Sequence, residues 1–257
     1  MAHGWLVREG GGLAGTSWPG TPAVALIRRA VTTPVLTAAR VYSASMNQAG
    51  AVPELAEPGD LPGLVVTFAA AFADDAMIRW PMPDASPVML QELFRLILEP
   101  YLEFGVLWKI GGCDGGAAWL PPPVAARFDE IEQSARAAIN PLTGDGGVRY
   151  ATFWDWLGAH LPAEPCWFLD AVAVAPAAQG RGLGRTLVMH GLERARADGC
   201  PAFLETGTPR NVPFYQSLGF QIVGEQQAPD GGPTIWFMQT PRLPAEALQR
   251  LRTACDR

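Results

Sequence analysis

From Asp60 onward the chain alternates between two hydrophobic rhythms. Leu61, Leu64, Val65, Phe68, Ala69 and Phe72 recur at helical spacing. Asp60 stands where that helix needs a cap, and Pro62 is tolerated in its first turn. Leu90, Leu93, Phe94, Ile97 and Tyr101 mark a second helix over residues 87–104, with Ser86 as its cap. Val106–Ile110 and Ala117–Leu120 read as strands joined by a turn at Gly111–Gly116, and Pro121–Pro123 closes that segment. Residues 124–161 predict helix again, broken by a turn at Asn140–Gly147. Cys166–Val174 then predicts a strand. Gly182–Asp198 predicts a helix with Leu183, Leu187, Val188, Leu192 and Ala195 facing inward. A strand at Ala202–Thr206 and a short helix at Val212–Leu218 follow. Strands at Phe220–Glu225 and Thr234–Thr240 flank a turn at Pro229–Pro233. Mixed helices and strands with no internal repeat imply one α/β domain.

Before residue 52 the pattern is absent, and composition separates the two parts. Residues 1–53 carry four arginines and one acid, a net of +3, whereas the rest of the 257-residue chain carries −9. We read residues 1–51 as a disordered or loosely structured extension, 52–242 as the domain and 243–257 as a tail. The Arg-rich, acid-poor extension shares its composition with transit peptides, and Met46 offers an alternative start. A native extension, a transit peptide and a start-site artefact all stay open.

Apolar residues make up 49% of the chain, enough for a real core. A net charge of −6 argues against nucleic acid as a partner, because phosphate contacts need clustered Lys and Arg. The four cysteines and three histidines offer no metal-ligand spacing, so no metal is expected. Reduced thiols and the lack of a long apolar run predict a cytoplasmic protein with no membrane partner, either monomer or homodimer.

The candidate chemistry lies in Phe168–Arg185. A buried strand runs into a Gly-rich loop, and the loop runs directly into a helix. Such a turn aims unpaired backbone N–H groups and the positive helix end at one point, an anion site suited to phosphate. The dinucleotide and Walker fingerprints both fail. What stands there is Gln179-x-x-Gly182-x-Gly184.

That pattern resembles the pyrophosphate-binding signature of the GCN5-related N-acetyltransferases (GNAT), and the likeness extends over about residues 52–240. Phe203–Phe220 is similar to the family's next strand and short helix, with Asn211 and Tyr215 ahead of Leu218-Gly219-Phe220. Within the family, Ala71–Asp75, Leu90–Phe94, Glu164–Leu169 and Pro201–Thr206 resemble the puromycin N-acetyltransferase type. The resemblance implies a GNAT fold: a mixed, strongly twisted central sheet with helices on both faces. It implies direct transfer of acetyl from acetyl-CoA to the amine of a small molecule in a ternary complex, with acetyl-CoA as co-substrate. A protein or peptide N-acetyltransferase and a catalytically silent acyl-CoA-binding module are the rival readings.

On this resemblance the backbone of Gln179, Gly180, Arg181, Gly182, Leu183, Gly184 and Arg185 holds the pyrophosphate. Val172, Ala173 and Val174 pair with the pantetheine arm like an added strand. Tyr215 protonates the departing sulfur, and Asn211 contacts the cofactor or caps the helix that follows. Glu205 and Asp170 are the two candidate bases, because Phe168 stands near the position where histone-acetylating relatives carry a glutamate. Residues 74–88 and 121–165 shape the acceptor pocket, for which Trp80, Trp154, Trp156 and Trp167 are candidate walls.

Overall fold

The structure is a computed structural model that describes residues 51–125, 127 and 135–242. The proposed extension, up to residue 50, and the proposed tail lie outside the described residues. In chain order the strands are β1 (Glu54–Leu55), β2 (Leu107–Ile110), β3 (Gly115–Leu120), β4 (Trp167–Val174), β5 (Ala202–Thr206), β6 (Gln221–Gln227) and β7 (Thr234–Gln239). Helices used below are α1 (Leu61–Ala71), α2 (Ala76–Arg79), α3 (Pro87–Glu103), α4 (Pro122–Ala125), α5 (Val148–Gly158), α6 (Leu183–Ala197) and α7 (Asn211–Gln216). The predicted strands and the long helices at α1, α3, α5 and α6 fall where the periodicity put them, within a few residues, while the helix predicted from residue 124 lies partly outside the described residues. The two-residue β1 and the four-residue α2 carry too few positions to show a period.

The strands form one open sheet in the order β1-β2-β3-β4-β5-β7-β6. All neighbours are antiparallel except β4 and β5. Two apolar layers fill the faces. Leu64, Phe68, Leu93 and Phe94 from α1 and α3 cover Ala118, Leu120, Phe168 and Phe203 on one side. Leu187, Val188 and Leu192 from α6, with Tyr215 from α7, cover Ala117, Trp119, Leu169 and Leu204 on the other. This is the expected mixed sheet with helices on both faces.

Two glycines let the helices approach closely. A Cβ on Gly116 would stand 2.8 Å from Leu64 and Phe68 of α1, and one on Gly191 would collide with the Trp119 indole. Trp119 is buried and donates its Nε1–H to the Leu187 carbonyl at 3.2 Å. Through this contact β3 fixes where the start of α6 lies.

Two predicted caps differ in outcome. Ser86 accepts the Met89 N–H at 3.3 Å, as a helix N-cap should. Asp60 does not cap α1. Its carboxylate instead takes the Glu57 N–H at 2.8 Å and the Lys109 ammonium at 2.7 Å, and the lysine holds its pKa below the ordinary value. An ion pair with a strand residue outcompetes the local cap.

His190 is buried in α6 against Trp108, with ring centroids 4.2 Å apart. The Arg194 guanidinium lies 4.4 Å over the same indole. Burial first, and Arg194 second, push the His190 pKa down from 6.5 to about 3. The unfolded chain therefore binds a proton that the folded one refuses. Stability from this site is complete above about pH 6.5 and falls as pH drops toward 3, by up to roughly 1.4 kcal/mol per pH unit. Denaturant midpoints measured between pH 7 and 4 are expected to fall more steeply for the wild type than for His190→Phe. Parallel slopes would refute the assignment.

Candidate functional site

The site is built where β4 leaves β5. The parallel pairing holds only at Trp167↔Ala202 and Phe168↔Phe203, so among the described residues the β5-facing edge of β4 has no strand partner from Leu169 to Val174. On its other side β4 stays paired with β3 along its length. That ladder shifts register between Ala118 and Trp119, which face Ala171 and Leu169 and leave Asp170 as the extra residue. Such a bulge bends a strand and increases its twist. It also reverses the alternation: Leu169 and then Val172 pack on the α6 side, whereas Phe168 and then Ala171 pack on the α1 side. Asp170 is half-buried at the bend.

Past Val174 the chain turns through Pro176–Ala178 into the loop before α6. Gln179 closes this turn, its amide donating to the Val174 carbonyl at 3.2 Å. Gly180 and Gly182 have φ of +78° and +81°, a region that side chains with a Cβ rarely adopt. Gly182 is the N-cap residue of α6, and no side chain caps the helix. The N–H groups of Leu183, Gly184 and Arg185 therefore open the helix without an intrahelical partner. Among the described residues, a Cβ on Gly180 or Gly182 would meet nothing within 4 Å beyond its chain neighbours, which leaves space before these amides. The arrangement can take an anion at the helix start and an extended chain along β4.

Arg181 in the loop and Arg185 in the first turn of α6 differ. The Arg181 guanidinium folds back over the turn, 3.3 Å from the Ala177 carbonyl and 3.6 Å from the Asp114 carboxylate. Arg185 is exposed.

Across the opening, β5 and α7 bring the other predicted residues together. Tyr215 is buried, its ring edge-on to Phe214 at 5.2 Å and to Phe220 at 5.9 Å. Burial raises its pKa above the usual tyrosine value, and the nearby carboxylates of Asp75 and Glu205 raise it further. The phenol therefore stays protonated across the physiological range. Glu205 is half-buried, opposite Phe237 of β7 and on the sheet face that carries Phe203. Asn211 does not cap α7; Arg210 holds that position, and the Asn211 side chain donates instead to Thr206 Oγ1 at 3.4 Å.

Residue patterns alone did not reveal Asp75, Thr206 and Thr208. Asp75 caps α2 by accepting the Met77 N–H at 2.9 Å, and it takes the Thr208 hydroxyl at 3.0 Å. The cap is a readable signal, but the Thr208 contact joins residues 133 positions apart and has none.

The connection from β3 to β4 runs through residues 121–166, although antiparallel neighbours need only a few residues to turn. The extra chain crosses to the β7 end of the sheet, where Trp156 and His160 pack on Phe237. It also forms one wall of a cleft of about 210 Å³ lined by Met82, Met89, Leu142, Asp84 and Arg149 among others. Trp80 lies beside this cleft beneath the Arg149 guanidinium, 5.5 Å from ring centroid to carbon. Trp167 faces away: it is buried on the α6 side and donates to Asp198 at 2.9 Å, so it is a core residue rather than a wall. Trp154 packs on Tyr150 and Phe153. Among the described residues no helix is long and apolar enough to cross a membrane.

The model of the acetyltransferase (GNAT) family matches residues 117–220, from β3 to the end of the α7 turn. This segment is therefore similar to the GNAT family. It contains the bulged β4, the glycine loop, Glu205 and Tyr215. A glucosamine 6-phosphate N-acetyltransferase of Trypanosoma brucei brucei is 34% identical over 62 residues, 24% of this chain and 42% of that protein. The N-alpha-acetyltransferase RimI of Mycobacterium tuberculosis is 35% identical over 106 residues, 40% of this chain and 64% of that protein. The chain thus spans less than two thirds of either relative's length. Among solved structures, a Corynebacterium glutamicum protein described as histone acetyltransferase HPA2 and related acetyltransferase superimposes with a TM-score of 0.55 at 27% identity. That likeness covers 76% of this chain and 98% of the other. The GNAT fold expected from the motif is the fold observed.

Proposed function

We propose that the protein is an N-acetyltransferase that moves acetyl from acetyl-CoA to the amine of a small molecule within a ternary complex. The observation that carries this reading is the β4 edge left open beside an uncapped, glycine-lined helix start, within a segment similar to the GNAT family. The residues present suit acetyl-CoA. The amides of residues 180–185 offer donors to a pyrophosphate, with no side chain to obstruct them at Gly180 and Gly182. The free edge at Val172, Ala173 and Val174 offers backbone partners to the pantetheine amides, and its N–H groups can polarise the thioester carbonyl. Gln179 supports the loop by holding Val174. Acetyl-CoA, when bound, supplies the activated acetyl group.

The remaining work falls to protons. Tyr215, held protonated by burial and two carboxylates, gives its proton to the departing sulfur. Glu205 and Asp170, one on each splayed strand, are the candidates to take a proton from the amine. Asn211 reaches Thr206 and holds α7 against β5, which places Tyr215 one helical turn later.

The acceptor pocket is formed by the α1–α3 segment and the long β3–β4 connection, with the cleft at Arg149 as its outer part. The sequence likeness to the puromycin N-acetyltransferase type places puromycin first among acceptors to try. Thiol release from acetyl-CoA is measured with puromycin, phenethylamine, spermidine, glucosamine 6-phosphate, a peptide with a free N-terminus and a lysine peptide. Release with one or more small amines, and not with the peptides, is the expected result. Release with the peptides alone would replace the acceptor class. Tight coenzyme A binding without release would mark a silent acyl-CoA-binding module.

A further inference from the structure

The chain between α1 and α3 is braced so that one carboxylate stands at the end of β5. Arg79 donates to the carbonyl of Ala73 and, at 2.8 Å, to that of Ala85, tying the segment across itself. The start of α2 then lies against Gly207, where a Cβ would come within 2.8 Å of Met77. This close approach brings Asp75 to Thr208. From there a continuous polar chain runs along the strand end: Thr208 donates its hydroxyl to Asp75 at 3.0 Å and its N–H to Thr206 Oγ1 at 3.3 Å. Asn211 donates to the same Thr206 oxygen at 3.4 Å and lies one turn before Tyr215 on α7.

We infer that Asp75 is the seat of the acceptor: its half-buried carboxylate receives the ammonium group of a positively charged amine beside Tyr215, with Thr208 fixing the carboxylate in place. The inference rests on the N-acetyltransferase reading and adds to it the charge state in which the acceptor binds and the residue that recognises it. A carboxylate offers about four lone-pair directions. Met77 N–H takes one on Oδ1 and the Thr208 hydroxyl one on Oδ2, which leaves each oxygen able to accept again. Because both oxygens are already fixed, binding a cation costs little side-chain entropy, and the hydrogen bond formed is charge-assisted. Asp74, the exposed neighbour, has no such bracing. The charge of Asp75 is also felt at the Tyr215 hydroxyl. Asp75 binds the charged amine; the proton that the amine sheds before attack passes to one of the two candidate bases, Glu205 or Asp170.

The test is Asp75→Asn, assayed with the small amine that the wild type turns over fastest in the panel above. Asparagine keeps the cap on α2 and can still bond Thr208, so the fold should persist with an unchanged Tm. KM for the amine is expected to rise roughly 10- to 100-fold at pH 7, the scale of one charge-assisted hydrogen bond, with KM for acetyl-CoA unchanged. The gap should narrow as pH passes the amine's own pKa and the neutral form prevails. A purely structural brace would instead lower Tm and move both KM values together. An unchanged KM for the amine overturns the seat and leaves the enzyme reading standing. A wild type that releases no thiol with any amine overturns both. Should Asp75→Asn fail to fold, Thr208→Val retains the charge and removes only its support; a several-fold rise in KM for the amine is then expected, and no rise refutes the seat.

Discussion

Tyr215→Phe is expected to lower kcat by roughly 100-fold or more while leaving coenzyme A affinity nearly unchanged. The substitution deletes one oxygen and keeps the ring. The edge-on contacts with Phe214 and Phe220 survive, so α7 should hold its place against β6 and the protein should remain folded. What disappears is a proton donor whose pKa is raised by burial and by Asp75 and Glu205. Raising the pKa keeps the phenol protonated, so activity should show no loss from Tyr215 ionisation up to at least its ordinary pKa of 10. Steady-state kinetics with two acetyl donors sharpens the test. A donor with a more acidic thiol needs less help to leave, so its rate loss should be smaller. Equal losses for both donors would count against the acid role. Weaker coenzyme A binding with kcat intact would put the hydroxyl on the cofactor instead.

The readable parts of this chain are those that repeat. The stripe on α6, Leu183 to Ala195, and the apolar run of β4 repeat at fixed intervals because each buries one continuous face, and both elements lie where the pattern placed them. The glycine loop was readable for a different reason. Gly180 and Gly182 adopt positive φ, which limits what the sequence can hold there.

Contacts between distant segments left no such trace. Asp60 carried every local mark of a cap, yet Lys109 claims its carboxylate from 49 residues away. Asn211 carried the mark of a cap as well and bonds Thr206. The bulge at Asp170 shifts the sheet face of every β4 residue beyond it, and strict alternation along the strand does not foresee this. Trp167 looked like a pocket wall beside its strand neighbours, but its place in the alternation puts it on the α6 face, against Asp198. The acceptor side was least legible of all. Asp75 acquires its setting only when α2 docks on Gly207, and the Arg149 cleft exists only because the long β3–β4 connection folds back across the sheet.

Gly182→Val is expected to abolish measurable coenzyme A binding while the domain stays folded. Two effects combine at this position. With φ at +81°, any side chain strains the backbone, and the branched valine strains it most. The second effect is the informative one. Beyond its own chain neighbours, nothing among the described residues lies within 4 Å of where a Cβ would stand, so valine meets no other part of the described fold. It projects into the open space before the amides of Leu183, Gly184 and Arg185, where the pyrophosphate is proposed to sit. Losing two charge-assisted hydrogen bonds there weakens binding by roughly 100-fold or more. Backbone strain alone is controlled by Gly105→Val. Gly105 also has positive φ, +65°, and open surroundings, but it sits in the turn between α3 and β2. The two variants should lose similar amounts of thermal stability, and calorimetric titration with coenzyme A should separate them: binding is kept in Gly105→Val and lost in Gly182→Val. Equal affinity in both would mean that this loop does not hold the cofactor. Equal loss in both would mean that strain, rather than the blocked approach, explains the effect.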